Sequence, residues 1–117
     1  MHALYEKMEQ SDILIFGTPI YWFGPSAQMK LLIDRLRPYY GNKKLKWKKA
    51  ALILPAGTGE ADCDLTIEMF KRTFDALGIE YLVAVTSEAY DAGESEKDQK
   101  ALDQVEHMAN LINTELI

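Results

Sequence analysis

A single cysteine, Cys63, stands in a chain of 117 residues. A lone thiol excludes an internal disulfide and any cysteine-ligated cluster held by this chain alone, and makes the cytoplasm the default compartment. Histidine is scarce as well: His2 and His107 are far apart and lack ligand spacing, so no metal site is expected. Basic charge is not in excess. The net charge of −5 argues against a dedicated surface for nucleic acid or for an anionic membrane. No apolar run approaches the roughly 18 residues that read as a bilayer span. The start lacks the basic, apolar and small-residue succession of a signal peptide. Neither Gly-x-Gly-x-x-Gly nor Gly-Lys-Ser/Thr occurs, which excludes two familiar phosphate loops. No Ser-His-Asp, Cys-His or paired-carboxylate set presents itself, so no catalytic residue is assigned.

What is present is apolar side chain in short, ordered runs. With 48% hydrophobic and 26% charged residues the chain has the makings of an ordinary packed core, and its length suits one domain, residues 1–117. Ile13-Leu14-Ile15-Phe16 is continuous, without polar residues in the alternate places. That pattern predicts a strand over residues 12–17 covered on both faces, as in a parallel sheet. Ala50 to Leu54 and Tyr81 to Val85 read the same way, the latter at the centre of a strand over 80–87. Between them lie helical patterns. Leu4, Tyr5 and Met8 mark a short amphipathic helix, and Ser26 caps one that buries Met29, Leu32, Ile33 and Leu36 and stops before Pro38. Asp62 is placed to cap a helix over 63–77 with Ile67, Phe70, Phe74 and Leu77 inward and Gly78 at its end. A last helix over about 96–115 aligns Leu102, Val105, Ala109, Ile112 and Leu116. Residues 38–49 read as a connector with a lysine cluster around Trp47, a solvated face more readily than an anion site. The order α-β-α-β-α-β-α predicts an α/β fold with a parallel sheet. Three strands are few for such a sheet, and the one at 12–17 is left with an open apolar edge.

Two loops follow strands on the side where open α/β sheets bind ligands. In the first, Thr18-Pro19-Ile20 leads to three adjacent aromatics, Tyr21, Trp22 and Phe23, before Gly24-Pro25-Ser26. Three neighbouring aromatics on one short loop cannot all enter the same core, so they wall a flat ligand, close the sheet end or meet another subunit. The second loop, Gly57-Thr58-Gly59, allows a close backbone approach or is plain turn chemistry. The Tyr90–Gly93 loop reads as solvated, and Cys63 as a packed, inert thiol.

The stretch Gly17-Thr18-Pro19-Ile20-Tyr21-Trp22, with Ser26, Lys30 and Asp34-Arg35 beyond it, resembles the flavodoxin-like NAD(P)H-dependent FMN reductases. Their iron–sulfur flavoprotein branch is the nearest in pattern. The resemblance implies a flavodoxin-like parallel sheet with helices on both faces, here three strands equivalent to strands 3-4-5. It implies FMN as cofactor and NAD(P)H as electron donor, with Thr18, Pro19, Ile20, Tyr21, Trp22 and Phe23 on one side of the flavin ring and Gly57, Thr58 and Gly59 nearby. Electrons would pass to a quinone, a flavin or another electron-transfer partner. The family's leading strand, with a Gly-Ser-x-Arg loop for the flavin phosphate, has no counterpart in this sequence. Two readings therefore stand: an FMN-dependent oxidoreductase, or a non-catalytic remnant or interaction module with weak or no flavin binding. Both expect the open edge of residues 12–17 to be covered, most simply by a second copy in a homo-oligomer.

Overall fold

The apolar runs lie side by side in the computed structural model, which describes residues 2–57, 59–88 and 99–116. Helix α1 (His2–Gln10) leads into β1 (Ile13–Gly17), and a small hairpin of β2 (Ile20–Tyr21) and β3 (Gly24–Pro25) follows. Next come α2 (Ala27–Asp34), α3 (Pro38–Asn42), β4 (Lys49–Ala56) and a 3-10 turn over Gly59–Asp62. The chain continues through α4 (Asp64–Leu77), β5 (Glu80–Glu88) and α5 (Gln99–Leu116). Strands β1, β4 and β5 form one parallel sheet in the order β1-β4-β5, with Ile15 beside Ala51 and Ala51 beside Val83. The expected α/β architecture, helices on both faces of a three-stranded parallel sheet, is the one found.

The two faces are covered unequally. On the first, Leu14, Phe16, Leu52 and Leu54 pack with residues of α1 through α4 in one buried cluster. Phe16, Phe70 and Phe74 form its aromatic centre, with ring centroids 5.5 to 5.7 Å apart. Tyr5 of α1 meets Tyr39 of α3 edge-on at 5.4 Å and donates to the Arg35 carbonyl. On the second face Ala51 and Val85 pack against Ala101 and Met108 of α5. Among the described residues, α5 is the helix of that face.

Several expectations are corrected. The run at 13–16 reads as covered on both sides, yet burial alternates along β1: Leu14 and Phe16 are buried and Ile15 is 50% exposed. Ile15 points to the second face, where the cover given by α5 stops at β4. The connector at 38–49 contains α3, because Pro38 starts a helix at its N1 or N2 position, where a missing N–H and a fixed φ cost nothing. Helix α4 has Cys63 at its N-cap position, and Asp62 belongs to the preceding 3-10 turn. In α5 the buried positions are Ala101 and Met108, while Leu102, Val105 and Ala109 are exposed. A sheet only two strands wide beneath α5 buries one narrow strip of it. Gly78 does end α4 as expected, at φ 76°, and an added Cβ there would lie 3.0 Å from the Lys46 side chain.

Candidate cofactor-binding site

Thr18 leaves the sheet with its N–H still bonded to the Ile53 carbonyl at 3.1 Å. Its buried hydroxyl accepts from the Ser26 N–H at 2.9 Å, which closes the loop between them. Ser26 in turn accepts from the Met29 N–H at 3.2 Å and so caps α2. Across the loop, buried Thr66 of α4 donates to the Phe23 carbonyl at 3.2 Å. The hairpin is thus bolted to β4, α2 and α4, and its tip is held rigidly over the carboxyl end of the sheet.

At that tip Trp22 and Phe23 take φ values of 50° and 67°. Two consecutive positive φ angles between paired strands are the backbone of a tight type I′ hairpin turn, where Asn-Gly is the usual sequence. Bulky aromatics there cost about 1–3 kcal/mol each in backbone strain. They are not repaid by burial, since Trp22 is 94% exposed and Tyr21 and Phe23 are also exposed. Of the alternatives left open by the sequence, closing the sheet end is not what these side chains do: all three stand in solvent. The turn was not legible beforehand, because Trp-Phe carries none of the glycine or asparagine signal.

The second loop starts at the same end of the sheet, where β4 gives way to Gly57 and then Gly59. Thr58 lies outside the described residues. Gly59 has φ 75°, so a side chain there is strained by the backbone, while an added Cβ would make only ordinary contact with the Glu88 side chain at 3.4 Å. β2 packs on β4 and β3 on α4, which brings the aromatic hairpin and this loop to one end of β4. Cys63 is fully buried beside them, 3.4 Å from the Gly59 carbonyl. Burial, with the acidic Asp62, Glu60 and Asp64 nearby, pushes its thiol pKa up, so it stays a packed thiol. The Tyr90–Gly93 loop also lies outside the described residues.

The lysine cluster belongs to the opposite end. Lys48 donates to the carbonyls of Glu9 at 2.8 Å and Ser11 at 2.5 Å, and Lys43 to that of Ala76 at 3.0 Å. These cations hold the ends of α1 and α4, where helix carbonyls lack partners. Lys49 pairs with Glu80 at 2.5 Å across the start of β4 and β5. The cluster is structural, and no part of it reaches the aromatic hairpin. No group of three His, Cys, Asp or Glu residues suited to a metal occurs among the described residues.

The loops fit a flat aromatic ring better than a charged group. Exposed rings on a rigid turn, beside a glycine loop that admits close approach, offer stacking surface and backbone contact. Neither residues 17–26 nor 56–63 include lysine or arginine. The Thr18 and Ser26 hydroxyls are already engaged with one another's segments. Within Thr18–Ile20, which the resemblance sets beside the ring, the Thr18 N–H is bonded to the Ile53 carbonyl and Pro19 has no N–H, which leaves that of Ile20.

Comparison with known proteins points the same way. The family model described as NADPH-dependent FMN reductase matches residues 1–91. A Bacillus subtilis protein named as an NAD(P)H-dependent FMN-containing oxidoreductase is 35% identical over 108 residues, 86% of this chain and 60% of that protein. An iron–sulfur flavoprotein of Archaeoglobus fulgidus is 36% identical over 63 residues, 53% of this chain and 29% of that protein. The solved structure of Trp repressor binding protein from Bacillus subtilis superposes with a TM-score of 0.80 at 33% identity, covering 87% of this chain and 70% of the other. A flavodoxin-type, WrbA-like protein of Agrobacterium tumefaciens superposes at 0.72 with 21% identity over 86% of this chain and 66% of the other, a likeness of fold. The sheet is therefore flavodoxin-like. The chain spans less than two thirds of the length of either sequence relative.

Proposed function

Because the chain belongs to the NADPH-dependent FMN reductase family, we propose that it supplies the ring-binding side of an FMN-dependent oxidoreductase. The observation that carries the reading is the strained turn holding exposed Trp22 and Phe23 over the carboxyl end of the sheet. Backbone strain without burial is kept where surrounding structure enforces it for a task. Tyr21, Trp22 and Phe23 wall one side of the ring and keep water from it. The Ile20 N–H faces its polar edge, while Thr18 and Pro19 fix the hairpin's exit from the sheet. Gly57, Thr58 and Gly59 line the approach from β4. Bound FMN would supply the redox chemistry between NAD(P)H and an acceptor such as a quinone or a second flavin. No side chain of this chain is assigned a proton-transfer role. Neither loop has a cation for the phosphate, so that group is held by residues outside these loops.

The compartment that accompanies this reading is the cytoplasm; among the described residues no helix is long and apolar enough to cross a membrane. The reading also expects the open edge of β1 to be covered. Self-association of two copies through residues 12–17 is the simplest cover.

Fluorescence titration with riboflavin and FMN tests the ring site directly. A site that holds the ring alone binds both within about threefold of each other, and Trp22→Ala weakens both by roughly tenfold, the loss of one stacking contact. Absence of binding by either flavin overturns the reading. A preference of about a hundredfold for FMN would show a phosphate site within this chain.

A further inference from the structure

Helices α2 and α4 both start beside the aromatic hairpin, α2 at its Ser26 cap and α4 with Thr66 holding the Phe23 carbonyl. Their far ends line a common groove of about 590 Å³, with Ile33 to Arg37 on one side and Thr73 to Leu77 on the other. At 1.5 Å of rise per residue, the groove lies on the order of 10 Å from the hairpin. Its volume falls within the roughly 300–1,000 Å³ of small-molecule pockets.

The lining divides into a floor and a rim. Leu36 and Leu77, both buried, and half-buried Ile33 make the floor apolar. Arg37 and Tyr40 stand exposed at the rim. The Lys43 ammonium lies 4.7 Å from the centroid of the Tyr40 ring and donates to the Ala76 carbonyl at 3.0 Å. It touches both walls of the groove, and that one bond leaves two of its three N–H groups to spare.

Charge decides what such a groove takes. The Asp34 carboxylate at its rim is paired with Lys30 at 2.5 Å and is thereby neutralised. The Thr73 hydroxyl is spent on the Met69 carbonyl at 2.9 Å. Among the described residues the Arg37 guanidinium has no carboxylate partner. Two cations, Arg37 and Lys43, therefore stand over an apolar floor, on a chain whose net charge is −5. A guanidinium fork matches a carboxylate in plane and spacing. The floor and the Tyr40 ring call for a flat hydrocarbon body beside that charge. An organic cation is repelled by the rim, and a bare inorganic anion leaves the floor uncovered.

We infer that the groove between the far ends of α2 and α4 binds an aromatic carboxylate. Its carboxylate pairs with Arg37, with Lys43 beside it, and its ring lies on Leu36 and Leu77 against Tyr40. This site is separate from the ring site at the hairpin and needs no flavin, so its test uses none.

The probes are naphthoate and its uncharged analogue naphthamide, each titrated into the isotope-labelled full chain and followed by amide chemical shifts. Naphthoate is expected to shift the amides of residues 33–43 and 73–78. It should bind at least about tenfold tighter than naphthamide, the share of one charge-assisted pair. Arg37→Gln should abolish that preference, and Tyr40→Ala should weaken both probes by roughly twofold to tenfold. Both positions are exposed, and circular dichroism checks that the variants fold. Naphthamide binding as tightly as naphthoate, or a preference that survives Arg37→Gln, would overturn the inference. So would an absence of shifts in these two segments, including the case in which naphthoate shifts only residues 17–26 and 56–63.

Discussion

Strands β1 and β4 are written in the same apolar code and live in different surroundings. In β4 the residues Ala50, Ala51, Leu52 and Leu54 are all buried, between β1 and β5 and between the helices of both faces. In β1 only Leu14 and Phe16 are buried, and Ile15 is half in solvent. An apolar run thus states which environment a strand suits, while the structure states which it has. Where the two agree, the residue is core. Where they part, as at Ile15, an apolar side chain stands half in solvent.

The comparison is broken or sharpened most strongly by shortening one residue on each strand. Leu52→Ala, at a fully buried central position, should cost about 2–5 kcal/mol in urea unfolding. Ile15→Ala should cost about 1 kcal/mol or less, because half of that side chain is already exposed. Equal losses would mean that Ile15 is covered in solution. A second prediction concerns the well-covered face. Burial, then the Glu9 carboxylate beside it, push the Tyr39 phenol up to about 12. The folded state therefore keeps a proton that the unfolded state releases above its ordinary value near 10. The contribution is fully present below pH 10 and is lost as pH rises through 12, on the order of 2–3 kcal/mol in all. Tyr39→Phe should flatten that alkaline decline in unfolding midpoint. The third is smaller. Replacing Trp22-Phe23 by Asn-Gly relieves the left-handed strain at both residues and should stabilise the hairpin by about 2 kcal/mol while weakening flavin binding. A variant that is more stable and binds flavin as well as before would remove the functional reason for those aromatics.

Much of the fold was legible because its signals are local. The runs at 13–16, 50–54 and 81–85 became β1, β4 and β5; Ser26 caps α2 and Gly78 ends α4. What was not legible depends on tertiary cover. Of the stripe chosen on α5, Ile112 does pack on the core, while Leu102 and Val105 lie one step away from the buried positions, because an isolated helix cannot show how wide a sheet lies beneath it. Pro38 reads as a stop and is also a start, and the second role needed Leu45 and Tyr39 in the core to draw the chain back. At the site, the aromatic triplet and the glycine pair were visible as residue types, and their meeting at one end of β4 follows from the strand order. The rigid support was hidden. Thr66, 43 residues from the Phe23 carbonyl that it holds, carries no motif that marks it.

Hydrogen exchange on the chain by itself tests the unequal cover of the two strands most directly. The account predicts that the outward amides of Ile13, Ile15 and Gly17 exchange at least about a hundredfold faster than those of Leu52 and Leu54, since only the latter are closed in on both sides. Equal protection of β1 and β4 would contradict it, and would show that the edge is already covered when the chain is alone.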